Sequence, residues 1–292
     1  MKRVLLVGAC VAALLPAGAH GEWTWDASTT LTYDDNVSNA LEAEDRKADG
    51  AVAAWLSGGL YETLGSSTNL GFSLIAEPVS YLRYSGLSNL ALGASARLRQ
   101  KFGLGDAPSA TLFMQALHRN YHYDYRDGWQ YEAGASLGKR LNQRWSARAS
   151  VYYDRYSADR VQAPVLPGIS TAAYDTAGWN FGAQTAFSLT QADVLSLAYT
   201  WRKGTATAVT PPDEEVLEYS SAVARDPVFS STSPLVAYRI QAKTDLLSLT
   251  WSHALGSHAA VNLAYAYLRS RTESELGAYY SNVLSISLTY SK

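Results

Sequence analysis

The sequence predicts an all-β chain: a closed, antiparallel, up-and-down β-barrel of about twelve strands whose outer face meets lipid. Three observations predict it. Apolar residues recur at every second position in stretch after stretch, the period at which strand side chains point to opposite faces. The apolar rows begin and end with aromatics, which sit at the two interfaces of a bilayer. Connections alternate in length: long or variable after odd strands (34–50, 158–176, 207–235), short after even ones (62–68, 103–108, 142–143, 190–193, 255–258). Short turns on the periplasmic side and long loops outside follow that alternation in transmembrane barrels.

The clearest hairpin runs from Trp129 to Tyr153. Trp129, Tyr131, Ala133, Ala135 and Leu137 alternate with Gln130, Glu132, Gly134, Ser136, Gly138 and Arg140. After Leu141-Asn142-Gln143, the apolar residues Trp145, Ala147, Ala149, Val151 and Tyr153 alternate with Arg144, Ser146, Arg148, Ser150, Tyr152 and Asp154. Two period-two runs joined by a tight polar turn read as an antiparallel hairpin.

In chain order, the first strand carries Trp23, Trp25, Ala27, Thr29, Leu31 and Tyr33 on one face, and 34–50 is a charged loop. The second strand covers 51–61. The third covers 69–84, with Leu70, Phe72, Leu74 and Ala76 on its apolar face. Pro78 cannot donate to a ladder, so a bulge or local break is expected there. The fourth, 88–102, sets Leu90, Leu92, Ala94, Ala96 and Leu98 against Gly93, Ser95, Arg97, Arg99 and Lys101. The fifth, 109–125, has mixed faces, with Phe113 and Leu117 opposite Leu112 and Met114, and its pattern does not orient it. Beyond the hairpin and the 158–176 loop, the eighth strand carries Trp179, Phe181, Ala183 and Phe187, and the ninth Leu195, Leu197, Tyr199 and Trp201. The longest loop, 207–235, is polar and holds Pro211, Pro212, Pro227 and Pro234. The tenth strand ends in Leu247, Leu249 and Trp251, although Lys243 and Asp245 share that face. Val261, Leu263, Tyr265 and Tyr267 mark the eleventh strand; Tyr280, Asn282, Leu284, Ile286, Leu288 and Tyr290 mark the last. No helical period appears.

Residues 1–21 read as a signal peptide: basic Lys2-Arg3, apolar 4–15, Pro16, and a small-residue cleavage site near 19–21. Val7-Gly8-Ala9-Cys10 loosely suggests a lipoprotein box, but too little apolar sequence precedes it. The barrel then occupies 22–292. Cys10 is the only cysteine, which excludes disulfides, cysteine metal sites and a cysteine nucleophile from the mature chain. Taking Lys2 and Arg3 from 24 Lys+Arg leaves 22 against 26 Asp+Glu, a net of −4, which argues against a nucleic-acid partner. The 20 Tyr and 8 Trp outnumber the 6 Phe, as amphipathic interfacial belts require.

Such strands must close, because in lipid an unpaired edge N–H or C=O costs several kcal/mol. The polar rows then line a lumen, placing Arg97, Arg99, Lys101, Glu132, Arg140, Arg144, Arg148, Asp154 and Arg202 inside. They form either a selectivity ring for anions or acidic sugars, or a structural ladder with Arg148 across from Glu132. A soluble sandwich would instead turn the apolar rows inward, but its turns would not alternate in length.

The signal peptide, Tyr33-Asp34-Asp35-Asn36-Val37 after the first strand, and a whole-chain barrel resemble the porin-like outer-membrane barrels of Gram-negative bacteria. The early motif also resembles barrels associated with surface-polysaccharide export. The resemblance implies an outer-membrane location, with membrane lipid and the barrel-assembly machinery as partners. It implies no cofactor. Such barrels usually end in Phe; here the last aromatic is Tyr290, followed by Ser291-Lys292.

The function expected is passive, porin-like passage of small or acidic solutes, with a role in polysaccharide export open and no enzymatic activity. The first alternative is a rim hydrolase using His122 and Asp124 as a water-activating pair; no His-x-Ser motif accompanies them. A non-conducting structural or adhesive barrel is the second. Asp34, Asp35, Asn36, Glu42, Glu44 and Asp45 offer hard oxygens for calcium, but the spacing matches no defined calcium loop, and a solvated loop is the default. Tyr121, Tyr123 and Tyr125 read as an aromatic girdle, with sugar stacking open.

Overall fold

The computed structural model describes residues 21–230, 235–272 and 277–292; residues 1–20 of the expected signal segment lie outside them. Thirteen strands form one sheet: β1 (Glu22–Asp34), β2 (Asp49–Thr63), β3 (Thr68–Tyr81), β4 (Asn89–Lys101), β5 (Ser109–Tyr121), β6 (Gly128–Arg140), β7 (Trp145–Ala158), β8 (Thr176–Ser188), β9 (Asp193–Thr210), β10 (Ala222–Asp226), β11 (Leu235–Ala254), β12 (Ala259–Thr272) and β13 (Ala278–Ser291). Strands adjacent in sequence pair antiparallel, except β9 and β10. The barrel closes where β1 meets β13 (Thr29 opposite Leu288), and β9 pairs with β11 past β10. The result is a closed twelve-strand barrel with one extra strand.

The alternation read from the sequence sets the two faces. Leu74 (70% exposed), Leu92, Leu112, Met114, Leu137, Phe181, Leu249, Leu263, Ile286 and Leu288 stand on the outside. Two belts of rings bound that apolar band. Trp23, Trp25, Trp145, Trp251 and Tyr290 lie toward the short turns, and Tyr33, Tyr131, Tyr153, Trp179 and Tyr199 toward the loops. At Pro78 the β2–β3 ladder loses the two pairs between Ala53–Val79 and Leu56–Ala76 without a change of register. The proline therefore produces a local break and no bulge.

The register orients β5. Leu112 and Met114 face out, while Phe113 and Leu117 face in. Leu117 packs with Ile75, Ala91 and Trp55 on the inner wall. The lumen is therefore partly apolar, which is why the mixed pattern did not assign a face. The third and fifth strands end at Tyr81 and Tyr121, earlier than the alternation suggested, because 3-10 turns at Ser85–Leu87 and Asp124–Arg126 follow.

The expected polar loop 207–235 is mostly folded. Strand β9 continues to Thr210 and pairs with the start of β11 from Thr205–Gln241 to Thr210–Val236, beyond the points where β8 and β12 stop. The short strand β10 takes the place of β12 on the free edge of β11. Between β9 and β10 lies helix α1 (Glu214–Glu218), where sequence periodicity gave no helix. Asp213 caps it, its Oδ1 accepting from the N–H groups of Glu215 (2.8 Å) and Val216 (3.0 Å).

This three-stranded extension is apolar on both faces. Val209, Ala224, Leu235 and Ala237 pack with Phe229 against Tyr84 and Leu87 of the β3–β4 connection and Tyr174 of the β7–β8 loop. Ala208, Val223, Val236, Tyr238 and Ile240 pack against Val216 of α1, Leu41 of the β1–β2 loop and Ile169. In the strand order, β3 and β4 stand diametrically opposite the β9–β11 seam. Contact with Tyr84 and Leu87 therefore requires the extension to span the mouth. It forms a cap.

Candidate functional site: the lumen wall and its cover

The inner wall is asymmetric. Arg97, Arg99 and Lys101 on β4 and Arg148 on β7 stand on the face opposite the outward leucines and aromatics. Arg148 is opposite Gly138, and Glu132 is opposite Asp154. The expected Arg148–Glu132 pair does not form, because the register of the 6–7 hairpin puts two carboxylates side by side. Among the described residues no carboxylate lies within ion-pair distance of Arg97, Arg99 or Arg148. The far wall, on β13 and β1, presents Ser281, Ser285, Ser287, Thr289, Thr30 and Thr32.

Arg140 sits at the short-turn rim. Its Nε and Nη2 donate to the carbonyls of Asn142 (3.1 Å) and Gln143 (2.9 Å), and Asp106 is 3.8 Å away. Arg144 belongs to the turn, one residue before β7 begins, with its backbone N–H bound to Asn142 Oδ1.

Arg202 and Asp154 form the strongest lumen pair. Arg202 Nε and Nη2 reach the two Asp154 oxygens at 2.9 and 2.8 Å, and Nη1 donates to the Thr205 carbonyl at 2.9 Å. Asn180 Nδ2 donates to the same carboxylate. Paired planar groups of this kind are the stronger class of charged hydrogen bond. The guanidinium lies against Gly178, where an added Cβ would come within 2.7 Å of Arg202 Cζ.

A second lumen network escaped the sequence reading. Arg119 donates through Nε to Gln130 (2.7 Å) and through Nη1 to Asn89 (3.1 Å), and meets Glu77 at 3.2 Å. The signal was present, since Gln115 and Arg119 share one parity on β5, but the apolar Phe113 and Leu117 on that parity masked it.

The start of the acidic loop after β1 is folded against β13, while Glu42 and Glu44 remain exposed. Asp34 accepts from Asn36 N–H (2.8 Å) and the Ser281 hydroxyl (2.5 Å); Asp35 accepts from Asn282 N–H and Nδ2, both at 2.7 Å. Asn36 and Ser38 are buried, and Asn36 Nδ2 donates to the Tyr280 carbonyl. The motif latches the β1–β2 loop onto β13. Among the described residues no cluster of His, Cys, Asp or Glu is arranged to hold a metal.

The histidine–aspartate pair of the hydrolase alternative is not assembled at the rim. The strand ends at Tyr121, so His122 and Asp124 no longer share a strand face; Asp124 instead meets Arg160 at 2.7 Å. His118 bonds Asp159 at 2.7 Å on the outer surface and packs edge-on against Trp129.

Above the lumen, Arg126 holds the cap. Its Nη2 reaches Asp226 at 2.5 Å, and its guanidinium lies over Tyr174 (4.7 Å) and Phe229 (5.9 Å). Burial alone would push this guanidinium down; the Asp226 carboxylate holds it above its ordinary value. The Tyr174 hydroxyl donates to Asp226 at 3.1 Å. Tyr123, bonded to the Arg225 carbonyl, is pushed up to about 12 by burial and by the Asp226 charge.

An outer membrane channel from Pseudomonas putida F1 superposes with a TM-score of 0.59 at 12% identity, over 95% of this chain and 97% of that one. The NanC porin superposes with a TM-score of 0.50 at 9% identity, over 90% and 98%. The chain has the fold of porin-like outer-membrane barrels. No protein-family model and no curated protein sequence matches it.

Proposed function

We propose that this barrel is an outer-membrane channel that passes small acidic solutes and prefers anions. The observation that carries the reading is the unneutralised row of Arg97, Arg99 and Arg148 on one lumen wall. A charged side chain in a narrow, water-filled passage acts on a permeating ion within a screening length of about 8 Å at physiological salt. The fold it shares with outer-membrane channels supports the same reading, as do the two aromatic belts. Solutes of polysaccharide export would fit this preference where they carry carboxylates.

The test is the reversal potential of the purified barrel in planar bilayers under a potassium chloride gradient. The wild type should favour chloride, and the Arg97→Glu, Arg148→Glu double variant should shift the potential toward the cation side. Unchanged selectivity in that variant would remove the basic wall from the mechanism. The cap across the mouth favours one rival, a non-conducting structural barrel, and that reading requires no current from the wild type.

A further inference from the structure

Beneath the cap, at the loop end of the lumen, lies a cavity of about 340 Å³. It is lined by Tyr121, Tyr156, Tyr174 and Tyr279, with Arg126 in its roof and Arg202 in its floor. Ligand pockets run from roughly 300 to 1,000 Å³, so this one suits a small molecule.

The Arg126 Nε–H is buried and has no hydrogen-bond partner among the described residues. The rest of the guanidinium is committed to Asp226, Tyr174 and Phe229. A buried donor left unpaired is unfavourable, more so when charged. An incoming oxygen acceptor would satisfy it. Asn39, also at the wall, is the one non-glycine residue with positive φ (55°) among the described residues, and its Nδ2 donates to the Thr207 carbonyl. Strained backbone held by a side-chain bond is common where a ligand is clamped.

The chemistry of the lining narrows the ligand. Both guanidinia already face a carboxylate, Arg126 with Asp226 and Arg202 with Asp154, so the cavity carries no unbalanced charge. Apart from Ala206 and Leu268, the rest is tyrosine, threonine and asparagine: flat apolar ring faces interleaved with hydroxyl and amide groups. Tyr121 has a hydroxyl without a hydrogen-bond partner among the described residues. An uncharged ring bearing many hydroxyls matches this lining, because its C–H faces stack on aromatics while its oxygens accept and donate at the edge.

We infer that the cavity beneath the cap is a binding site for a neutral saccharide ring, with Arg126 Nε–H donating to one of its oxygens and Tyr121 forming one wall. The inference goes beyond the channel reading and does not need current to be tested. Isothermal titration calorimetry of the purified, folded barrel in detergent would measure binding of neutral trisaccharides of glucose, galactose and mannose, with inorganic phosphate as the anionic comparison. At least one trisaccharide should bind and phosphate should not displace it. Tyr121→Ala, which breaks no side-chain hydrogen bond, should weaken binding at least tenfold. Ala206→Phe, which fills the cavity, should abolish it, with heat-modifiable gel mobility confirming that each variant is folded. No binding by any of the three sugars, displacement by phosphate, or unchanged affinity in both folded variants would overturn the assignment.

Discussion

Arg126, in the turn between β5 and β6, meets Asp226, on the edge strand of the cap, across 2.5 Å and with no solvent exposure of the Asp226 side chain. The two residues are 100 positions apart in sequence. Their contact fastens the cap to the far rim of the barrel.

Asp226→Ala should therefore release the cap. Removing one partner of a buried pair typically costs about 3–5 kcal/mol, because the remaining charge is stranded. Limited proteolysis within 211–230 should become fast in the variant while the barrel strands stay protected. Equal protection in wild type and variant would show that the apolar clusters alone hold the cap.

Cap removal should enlarge the passage. Replacing residues 211–230 with a short Gly-Ser linker takes away α1 and β10 and uncovers the mouth. Single-channel conductance should rise several-fold over the wild type. A conductance that stays the same would place the narrowest section elsewhere in the lumen.

Alkaline titration reads the same region. Tyr123 is raised from 10.0 to about 12, so the folded cap holds the neutral phenol. Its contribution to cap attachment is whole below about 10 and is lost as pH rises through about 12. The tyrosinate absorbance difference between wild type and Tyr123→Phe should show a step near 12. A step near 10 would mean that Tyr123 is freely solvated.

Freeing Arg202 should add positive charge to the passage. Asp154→Ala deletes the carboxylate that both Nε and Nη2 contact. Chloride preference in bilayers should increase, opposite in sign to the effect of Arg148→Glu. Gly178→Ala, which pushes the guanidinium aside, should alter conductance without changing net charge.

The outer face has its own test. Ile286 stands in the apolar band between Leu31 and Leu263. Arginine there should destabilise the lipid-inserted barrel by about 2–4 kcal/mol, measured by reversible unfolding from lipid vesicles.

The alternation legible in the sequence located all twelve barrel strands because it is a local property: each residue's neighbours two positions away report its face. It failed on β5, where Leu117 fills the lumen beside Ile75 and Trp55 rather than meeting water. The cap was illegible for a different reason. Leu235–Ile240 and Val209 are apolar on both faces, the pattern of a strand covered on two sides, but what covers them comes from four separate connections. Arg202 and Asp154 were both assigned to the lumen, yet their pairing depends on the β7–β9 geometry across β8, which no local pattern encodes. The Asp34-Asp35-Asn36 motif, read as a loop, derives its role from Ser281 and Asn282 at the other end of the chain.

That last juxtaposition constrains assembly. Strand β1 has β2 on one side, but its other edge stays open until β13 has been synthesised and delivered, with Thr29 waiting for Leu288. Joining ends so distant along the chain is slow, and an open strand edge invites pairing with other molecules. A polypeptide whose β1 edge is still open is exposed to such pairing, and the Asp34–Ser281 contact can seal the seam only once the two ends have met.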